Sequence, residues 1–294
     1  MAGAFHGTTL SSFRMVLTPL PEPPDLRVGI VLSEEGRLTL RPTVRASGPT
    51  RGGLTALCEA LAVALDTKVS PFVCETYRDL LSELHWGTLG LAWLPPMIAL
   101  KAVSRGGAVP LVAPVRSGSA WYWTSLFVRE DSPIGSLEEL RHARVAWVDP
   151  MSSAGYLVIR ASLRAQGIDI AEAFGKEHFL GAHDAVARAV IDGEVDVGAT
   201  YAHFDDGGRV RTAGWGRAAV RSLKFAGPIP GDVLAASAVL AADLRELIAE
   251  ALAGPGHAEV QRAATSLFSA TGFERVDREH LSHLEELLAY VEPE

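Results

Sequence analysis

Short apolar runs and stretches with helical hydrophobic spacing alternate along this chain of 294 residues. The first apolar run, Leu26–Ser33, predicts a buried strand, and leucines recurring at helical spacing predict a helix over 53–66. Further strands are predicted over 68–74, 89–94, 109–115, 123–130, 144–148, 177–180 and 195–201, and further helices over 77–84, 137–141, 153–166 and 183–192. This alternation is typical of parallel sheets with crossover helices.

The two ends of the chain show other patterns. From about Asp243 the sequence predicts only helices, over 243–253, 256–271 and 277–291. The proline-rich start, 1–24, lacks the basic and apolar regions of a secretory signal. No helix or strand is predicted for the polar stretch 34–50. No run approaches 18 apolar residues, so we expect no membrane insertion. As written, the sequence predicts an unexported chain, although a chain whose leader had been removed would look the same.

Composition narrows the classes of partner. The formal net charge is −8 and the basic residues are scattered, which argues against a nucleic-acid binder. An anionic ligand would have to be held by local donors, because the overall field opposes it. The two cysteines, Cys58 and Cys74, are interpreted as small buried side chains, with pairing left open.

The most informative stretch is Val145–Leu163. An apolar strand is followed by Asp149-Pro150-Met151 and then by Ser152, Ser153, Ala154 and Gly155 at the predicted start of a helix. Ligands of open α/β sheets bind beyond the carboxyl ends of the strands, and the start of a helix favours an anion. The alternative is that Ser152 only caps the helix.

A second strand-to-helix turn repeats this geometry. His183 lies at the start of the helix predicted over 183–192, again after a strand. An imidazole can donate a hydrogen bond to an oxyanion, although a lone histidine here is more often a surface cap. Two such turns facing one crevice favour an anion site.

Catalytic and cofactor motifs find little support. Ser152 has no Gly-x-Ser-x-Gly elbow, no Gly-Lys-Ser/Thr phosphate loop occurs, and the histidines lack metal-ligand spacing. We therefore expect no enzyme, no cofactor and no metal.

At these residues the sequence resembles the PhnD-like phosphonate-, phosphite- and phosphate-binding components of ABC importers, from about Leu26 onward. The resemblance is carried by the segments ETYRDLLSEL, GLAWLPP, VREDSPIGSLEELRHARVAWVDPMSSAGY, GAHDAVARAVIDGEVDVGATY, GPIPGDV and TGFERVD. It implies the two-lobed α/β fold of type II periplasmic binding proteins, with mostly parallel sheets, helices on both faces and a ligand cleft between the lobes. An N-terminal extension would cover 1–25, the first lobe 26–117 and 228–294, and the second lobe 118–227.

The resemblance also assigns ligand-binding residues. The candidate set is Tyr77, Tyr122, Thr124, Ser152, Ser153, Ala154, His183, Tyr201, His203 and Asp232. Two positions depart from the family pattern: Ala154 replaces a hydroxyl residue, and His203 stands where members that bind aminoalkyl phosphonates have an acid. Asp232 matches the second acid of those members. A small ligand without an amine is expected.

The implied function is capture of a small phosphorus oxyanion by hinge closure. We expect a monomeric, periplasmic or extracytoplasmic solute-binding protein that serves an ABC permease. Two alternatives fit an unexported chain, namely a ligand-sensing module that reports to a kinase and a cytosolic enzyme on the same fold. We expect no nucleic-acid partner.

Overall fold

The computed structural model describes residues 25–32 and 49–288. The strands are β1 (Leu26–Val31), β2 (Val69–Cys74), β3 (Leu91–Leu94), β4 (Ala108–Val115), β5 (Trp121–Arg129), β6 (Ala143–Trp147), β7 (Phe174–Phe179), β8 (Val197–Phe204), β9 (Val210–Ala213), β10 (Val220–Pro230), β11 (Val233–Ser237) and β12 (Gly272–Arg275). The helices are α1 (Arg51–Leu65), α2 (Tyr77–His85), α3 (Pro96–Ser104), α4 (Val158–Ala165), α5 (Ile170–Ala173), α6 (His183–Ile191), α7 (Ala242–Ala253), α8 (Ala258–Leu267) and α9 (Arg278–Leu287). A π-helical turn, Ser153–Leu157, precedes α4.

These strands form two mixed sheets. The first has the order β12-β4-β11-β3-β1-β2, and the second has the order β10-β5-β8-β6-β7 with β9 paired to β8. In each sheet one trio is parallel: β3, β1 and β2 in the first, and β8, β6 and β7 in the second. The predicted α/β fold, with mixed sheets and helices on both faces, is confirmed.

Each sheet is covered on both faces by apolar side chains. On one face of the first sheet, Leu91 and Trp93 pack with α1, α7 and α8, and on the other face Ala92 and Leu94 pack with α2 and α3. In the second sheet, Val145 faces α4, and Ala146 faces α6. Strands buried on both faces have continuous apolar sequences, which is why these strands could be predicted from their apolar runs. Cys58 and Cys74 are free and buried, as interpreted from the sequence.

Two short connections join the sheets. Residues 116–120 lead from β4 to β5, and Gly231–Asp232 lead from β10 to β11. The Gly231 N–H donates to the Ala120 carbonyl over 2.8 Å. A Cβ at position 231 would lie 2.6 Å from that same oxygen, so glycine permits the close approach of the two connections.

Several predicted elements differ from the structure. The helix predicted over 137–141 is wrong: Leu140 N bonds to Leu137 O in a turn, because five residues are too few to offset the cost of starting a helix. The C-terminal part is not wholly helical, since β12 follows α8 and pairs with β4. Helix α3, the short helix α5 and strands β9 to β11 were not predicted.

Parts of several predictions lie outside the described residues. These are the N-terminal extension up to residue 24, Ser33 of the first predicted strand, the stretch 34–48, and residues 289–291 of the last helix with the end of the first lobe. Within the described ranges, no helix combines the length and the apolar character needed to cross a membrane.

Candidate functional site

The candidate site lies at one edge of the second sheet. Strands β6, β7 and β8 end there, and antiparallel β5 brings its N-terminal half to the same edge, with Thr124 opposite Tyr201. The loop after β7 is bonded to the end of β6, since Leu180 N donates to Trp147 O over 3.0 Å and Gly181 N donates to Val148 O over 2.8 Å. The two strand-to-helix turns singled out in the sequence therefore lie side by side.

The two serines of the first turn have different environments. Ser152 is the N-cap, and its Oγ accepts from Gly155 N over 3.0 Å. Ser153 is 5% exposed, and its buried Oγ has no hydrogen-bond partner within the described part of the chain. The tight turn depends on glycine, because a Cβ at position 155 would lie 2.4 Å from the Val148 side chain. Capping thus uses Ser152 Oγ as an acceptor, which leaves its O–H able to donate, and the Ser153 hydroxyl is left without a partner within the described residues.

The backbone of this turn is tied to the second sheet. Thr124 is fully buried, and its hydroxyl donates to the Ala154 carbonyl over 2.6 Å. The threonine therefore positions the turn, and its hydroxyl proton is not available to a ligand in this conformation. Leu157 N bonds to Ser152 O over 3.0 Å, which makes the first turn wider than an α-turn.

His183 is the first residue of α6 and is held by one hydrogen bond. Its Nδ1 lies 2.9 Å from Thr200 Oγ1, and its ring meets the Tyr201 ring edge to face at 5.0 Å. Burial lowers the pKa of His183 to about 4, partly offset by Asp184, so the ring is neutral at pH 7. When the Thr200 hydroxyl donates to Nδ1, the Nε2–H is free to donate to an oxyanion.

Tyr122, Tyr201 and His203 form an aromatic group beside the turn. The ring centroids of Tyr122 and His203 lie 5.9 Å apart, and those of Tyr201 and His203 lie 5.8 Å apart. Burial lowers the pKa of His203 to about 4, with a further contribution from Arg116. His203 is therefore neutral at pH 7, and its Nδ1 is buried without a partner among the residues described. Tyr122 and His203 of this group are thus uncharged polar side chains at pH 7.

The hydroxyl of Tyr122 lies close to that of Ser153. Burial raises the pKa of Tyr122 well above its ordinary value, Asp232 adds to this, and Arg116 and the Ser153 side chain oppose it. The Ser153 side chain acts on Tyr122, but Ser153 Oγ makes no hydrogen bond of ordinary geometry within the described residues. Neither hydroxyl is thereby withdrawn from a ligand.

Tyr77 and Asp232 contribute from the side of the first sheet. Tyr77 opens α2, and burial raises its pKa to about 12, with smaller contributions from Asp232 and Asp149. Asp149 follows β6 of the second sheet, so its influence on Tyr77 acts across the space between the sheets. Lys101 Nζ also lies 3.6 Å from Met151 Sδ across this space.

Asp232 is not a free acid. Its Oδ2 accepts from Arg116 Nη1 over 3.2 Å, and both side chains are about a quarter exposed, at 26%. Arg116 was not among the site residues predicted from the sequence. The available signal was a charged residue directly after the apolar run of β4, at the start of a connection between the sheets.

The tryptophans that flank Tyr122 lie on the other face of β5, since successive side chains of a strand point to opposite faces. Trp121 packs on His280 at 4.6 Å between ring centroids, and Trp123 meets Phe204 at 5.1 Å. Both tryptophans line a groove of about 960 Å³ on that face. Their contacts are therefore with α9 and β8.

The side chains of the candidate site are better suited to donate hydrogen bonds than to act as acid–base catalysts. Within the described residues His183 bonds to Thr200, which is fully buried, and to neither serine of the turn. Among residues 25–32 and 49–288, no three His, Cys, Asp or Glu side chains are grouped to hold a metal ion. Such a set of neutral donors suits the recognition of an oxyanion.

Comparison with known proteins places the chain among binding proteins. Residues 50–281 match the model of the family described as ABC transporter, phosphonate, periplasmic substrate-binding protein. The chain is 28% identical over 198 residues to the phosphonates-binding periplasmic protein of Escherichia coli, an alignment that covers 65% of this chain and 55% of that protein. It is 26% identical over 166 residues to the phosphate-import protein PhnD of Mycolicibacterium smegmatis, covering 53% and 51%. The alignments thus span about half the length of these relatives.

A solved structure gives the same fold. XAC2383 from Xanthomonas citri, solved with a bound chloride ion, superposes with a TM-score of 0.69 and 23% identity, over 90% of this chain and 96% of that one.

Proposed function

The chain belongs to the family of periplasmic substrate-binding proteins of phosphonate ABC transporters, and on this premise we propose that it binds a small phosphorus oxyanion between its two sheets. One observation carries the proposal: the Ser153 hydroxyl is buried and unpartnered within the described residues, beside the Tyr122 hydroxyl. A buried hydroxyl without a hydrogen bond costs free energy, which a ligand oxygen would recover.

The donors around this hydroxyl fit a tetrahedral anion. Ser153 and the first N–H groups of the helical segment 153–165 offer donors from one side, since the first N–H groups of a helix lack partners within it. The Nε2–H of His183 offers another, and Tyr77 adds a hydroxyl from the first sheet. Each hydrogen bond to a charged oxygen contributes about 1.5–3 kcal/mol.

Phosphonate, phosphite and phosphate share the chemistry that this set recognises. The relatives in Escherichia coli and Mycolicibacterium smegmatis are named for phosphonates and for phosphate import. Ala154 contributes no hydroxyl, and Asp232 is engaged with Arg116. A small oxyanion without an amine is therefore the ligand class we propose.

The proposed mechanism is capture of the ligand by hinge closure, as a step in its uptake by the cell. The lobes would comprise 26–117 with 228–294, and 118–227, hinged at the two connections. The ligand would dock on Ser153 and His183 in the second lobe, and Tyr77 would close on it from the first. The protein would act outside the cytoplasm and deliver the ligand to an ABC permease.

A thermal-shift and calorimetry screen tests the proposal. The ligands are phosphate, phosphite, methylphosphonate, 2-aminoethylphosphonate and sulfate. A true ligand at 100 times its Kd should add about 2.7 kcal/mol to the free energy of unfolding. The double variant S153A/H183A should lose binding and remain folded, whereas T55A/H257A, with both changes away from the candidate site, should bind like the wild type. Unchanged affinity in S153A/H183A would show that the site is elsewhere.

A further inference from the structure

A single ion pair links the two connections between the sheets. Arg116 begins the first connection and Asp232 ends the second, and Arg116 Nη1 lies 3.2 Å from Asp232 Oδ2. The connections also share the hydrogen bond from Gly231 N to Ala120 O. The pair therefore sits where the chain passes from one sheet to the other, next to the candidate site.

The guanidinium group is fixed by contacts besides the carboxylate. Arg116 donates from Nη2 to Phe268 O over 2.8 Å and from Nε to the same oxygen over 3.3 Å. It also lies 6.0 Å above the ring of Trp93, which stacks on Phe268 at 3.7 Å. Its backbone is held by the turn in which Arg116 N donates to Ser119 O over 2.8 Å. Such a group holds its charge in one place.

Both charges act on candidate ligand residues. Asp232 raises the pKa of the Tyr77 and Tyr122 hydroxyls, whereas Arg116 lowers the pKa of Tyr122 and of His203. A bare carboxylate that acts on Tyr77 and Tyr122 would also repel an oxyanion bound beside them, because like charges in a partly buried cleft repel each other. Arg116 cancels that repulsion.

We propose that Arg116 sets the charge class of the ligand: by neutralising Asp232 it admits an oxyanion with an uncharged tail and withholds the carboxylate from an ammonium group. This inference rests on the proposed function and concerns the same site. Arg116 acts through Asp232, so it is a positioning residue. Without the guanidinium, the site would present donors for an oxyanion beside a free carboxylate, which suits a zwitterion.

The test measures methylphosphonate and 2-aminoethylphosphonate binding by calorimetry. In R116M, methylphosphonate affinity should fall about ten- to hundredfold, and the preference for 2-aminoethylphosphonate over methylphosphonate should rise at least about tenfold. Adding D232N in the double variant should restore methylphosphonate binding to within a few-fold and remove the gain for the amine. R116K should keep the wild-type preference because it retains the charge.

The control removes a guanidinium elsewhere. Arg144 pairs with Asp196 at the start of β6, the edge opposite the candidate site, so R144M changes the net charge equally and should leave both affinities unchanged. If R116M does not fold, the single variant D232N provides the test instead, because it leaves the Arg116 charge without its carboxylate partner. D232N should then strengthen methylphosphonate binding and weaken 2-aminoethylphosphonate binding.

The outcomes separate the two proposals. An unchanged ligand preference in R116M, or failure of D232N to restore methylphosphonate binding, overturns the role of Arg116. A wild type that binds none of the phosphorus oxyanions of the screen, with R116M gaining 2-aminoethylphosphonate, overturns the proposed ligand class and supports the role of Arg116. No binding by any variant overturns both.

Discussion

At the scale of single residues, the adjacent hydroxyls of Ser152 and Ser153 have separate tasks. Ser152 Oγ accepts from Gly155 N, which satisfies one of the unpaired donors at the helix start. Ser153 Oγ is buried and has no partner within the described residues. A capping hydroxyl contributes to folding, whereas an unpartnered buried hydroxyl costs free energy until a ligand pairs with it.

S152A and S153A should therefore separate stability from binding. S152A should lower the free energy of unfolding by about 0.5–2 kcal/mol, because the cap is lost. S153A should leave that free energy unchanged or slightly raised and should weaken oxyanion binding. Urea denaturation and calorimetry on the two variants check this. Equal stability of both variants would contradict the assignment of Ser152 as the cap.

Sequence reasoning found the serines and His183 because each follows an apolar run that periodicity identifies. It did not foresee that Thr124 would bond to Ala154 O or that Asp232 would be paired, because both contacts join residues far apart in the chain. Arg116 was missed for the same reason, since its position opposite Asp232 depends on the crossing of two connections.

At the scale of elements, the turn Ser153–Leu157 depends on Gly155. The site lies at the start of a helix that opens with a π-turn, and β6 ends against it, since Val148 N bonds to Gly155 O over 3.2 Å. A Cβ at position 155 would lie 2.4 Å and 2.5 Å from Val148 atoms and 2.8 Å from Ser152 Oγ. Such contacts require the strand end or the turn to move.

G155A should consequently destabilise the protein by about 1–3 kcal/mol and weaken ligand binding. The matched control is G52A in the first turn of α1, where a Cβ would meet nothing within 4 Å. That change should be neutral or stabilise by up to about 1 kcal/mol, because alanine favours a helix. Thermal unfolding measures both, and a G155A protein as stable as G52A would contradict the packing argument.

Elements with strong periodicity were predicted well, and short or edge elements were not. Helix α1 and strands β1 to β4 were located to within about two residues because each carries an apolar run or face, which is largely buried in all of them except the half-buried β2. Strand β10 has mostly half-buried residues and β9 mostly exposed ones, so neither gives an apolar signal. Helix α3 begins with Pro96, in a stretch after the strand predicted over 89–94 for which no helix was predicted.

At the scale of the whole molecule, α9 packs against elements of both sheets. Leu284 is fully buried in a cluster with Ala154, Val158 and Ile229, and Leu100 of α3 packs on the same cluster. This helix therefore places apolar side chains next to the turn that carries the candidate site. The second sheet and the helices of the first are joined by this cluster as well as by the two connections.

L284A should lower the free energy of unfolding by about 2–5 kcal/mol, because it opens a cavity in this cluster. L247A is the matched control, since Leu247 is 57% exposed and its loss should change stability by no more than about 0.5 kcal/mol. Denaturant titrations provide the comparison. Similar stability of the two variants would show that α9 does not depend on Leu284 for docking.

The strand order also has a consequence for the order in which the chain folds. Among the described residues, every strand of the second sheet lies within 121–230, whereas β11, which lies between β4 and β3 in the first sheet, is contributed by Val233–Ser237. During synthesis, which proceeds from the N-terminus, β1 to β4 are therefore present before β11, the strand that lies between β4 and β3. The second sheet can be complete first, and the earliest strands must wait for a later segment to close their own sheet.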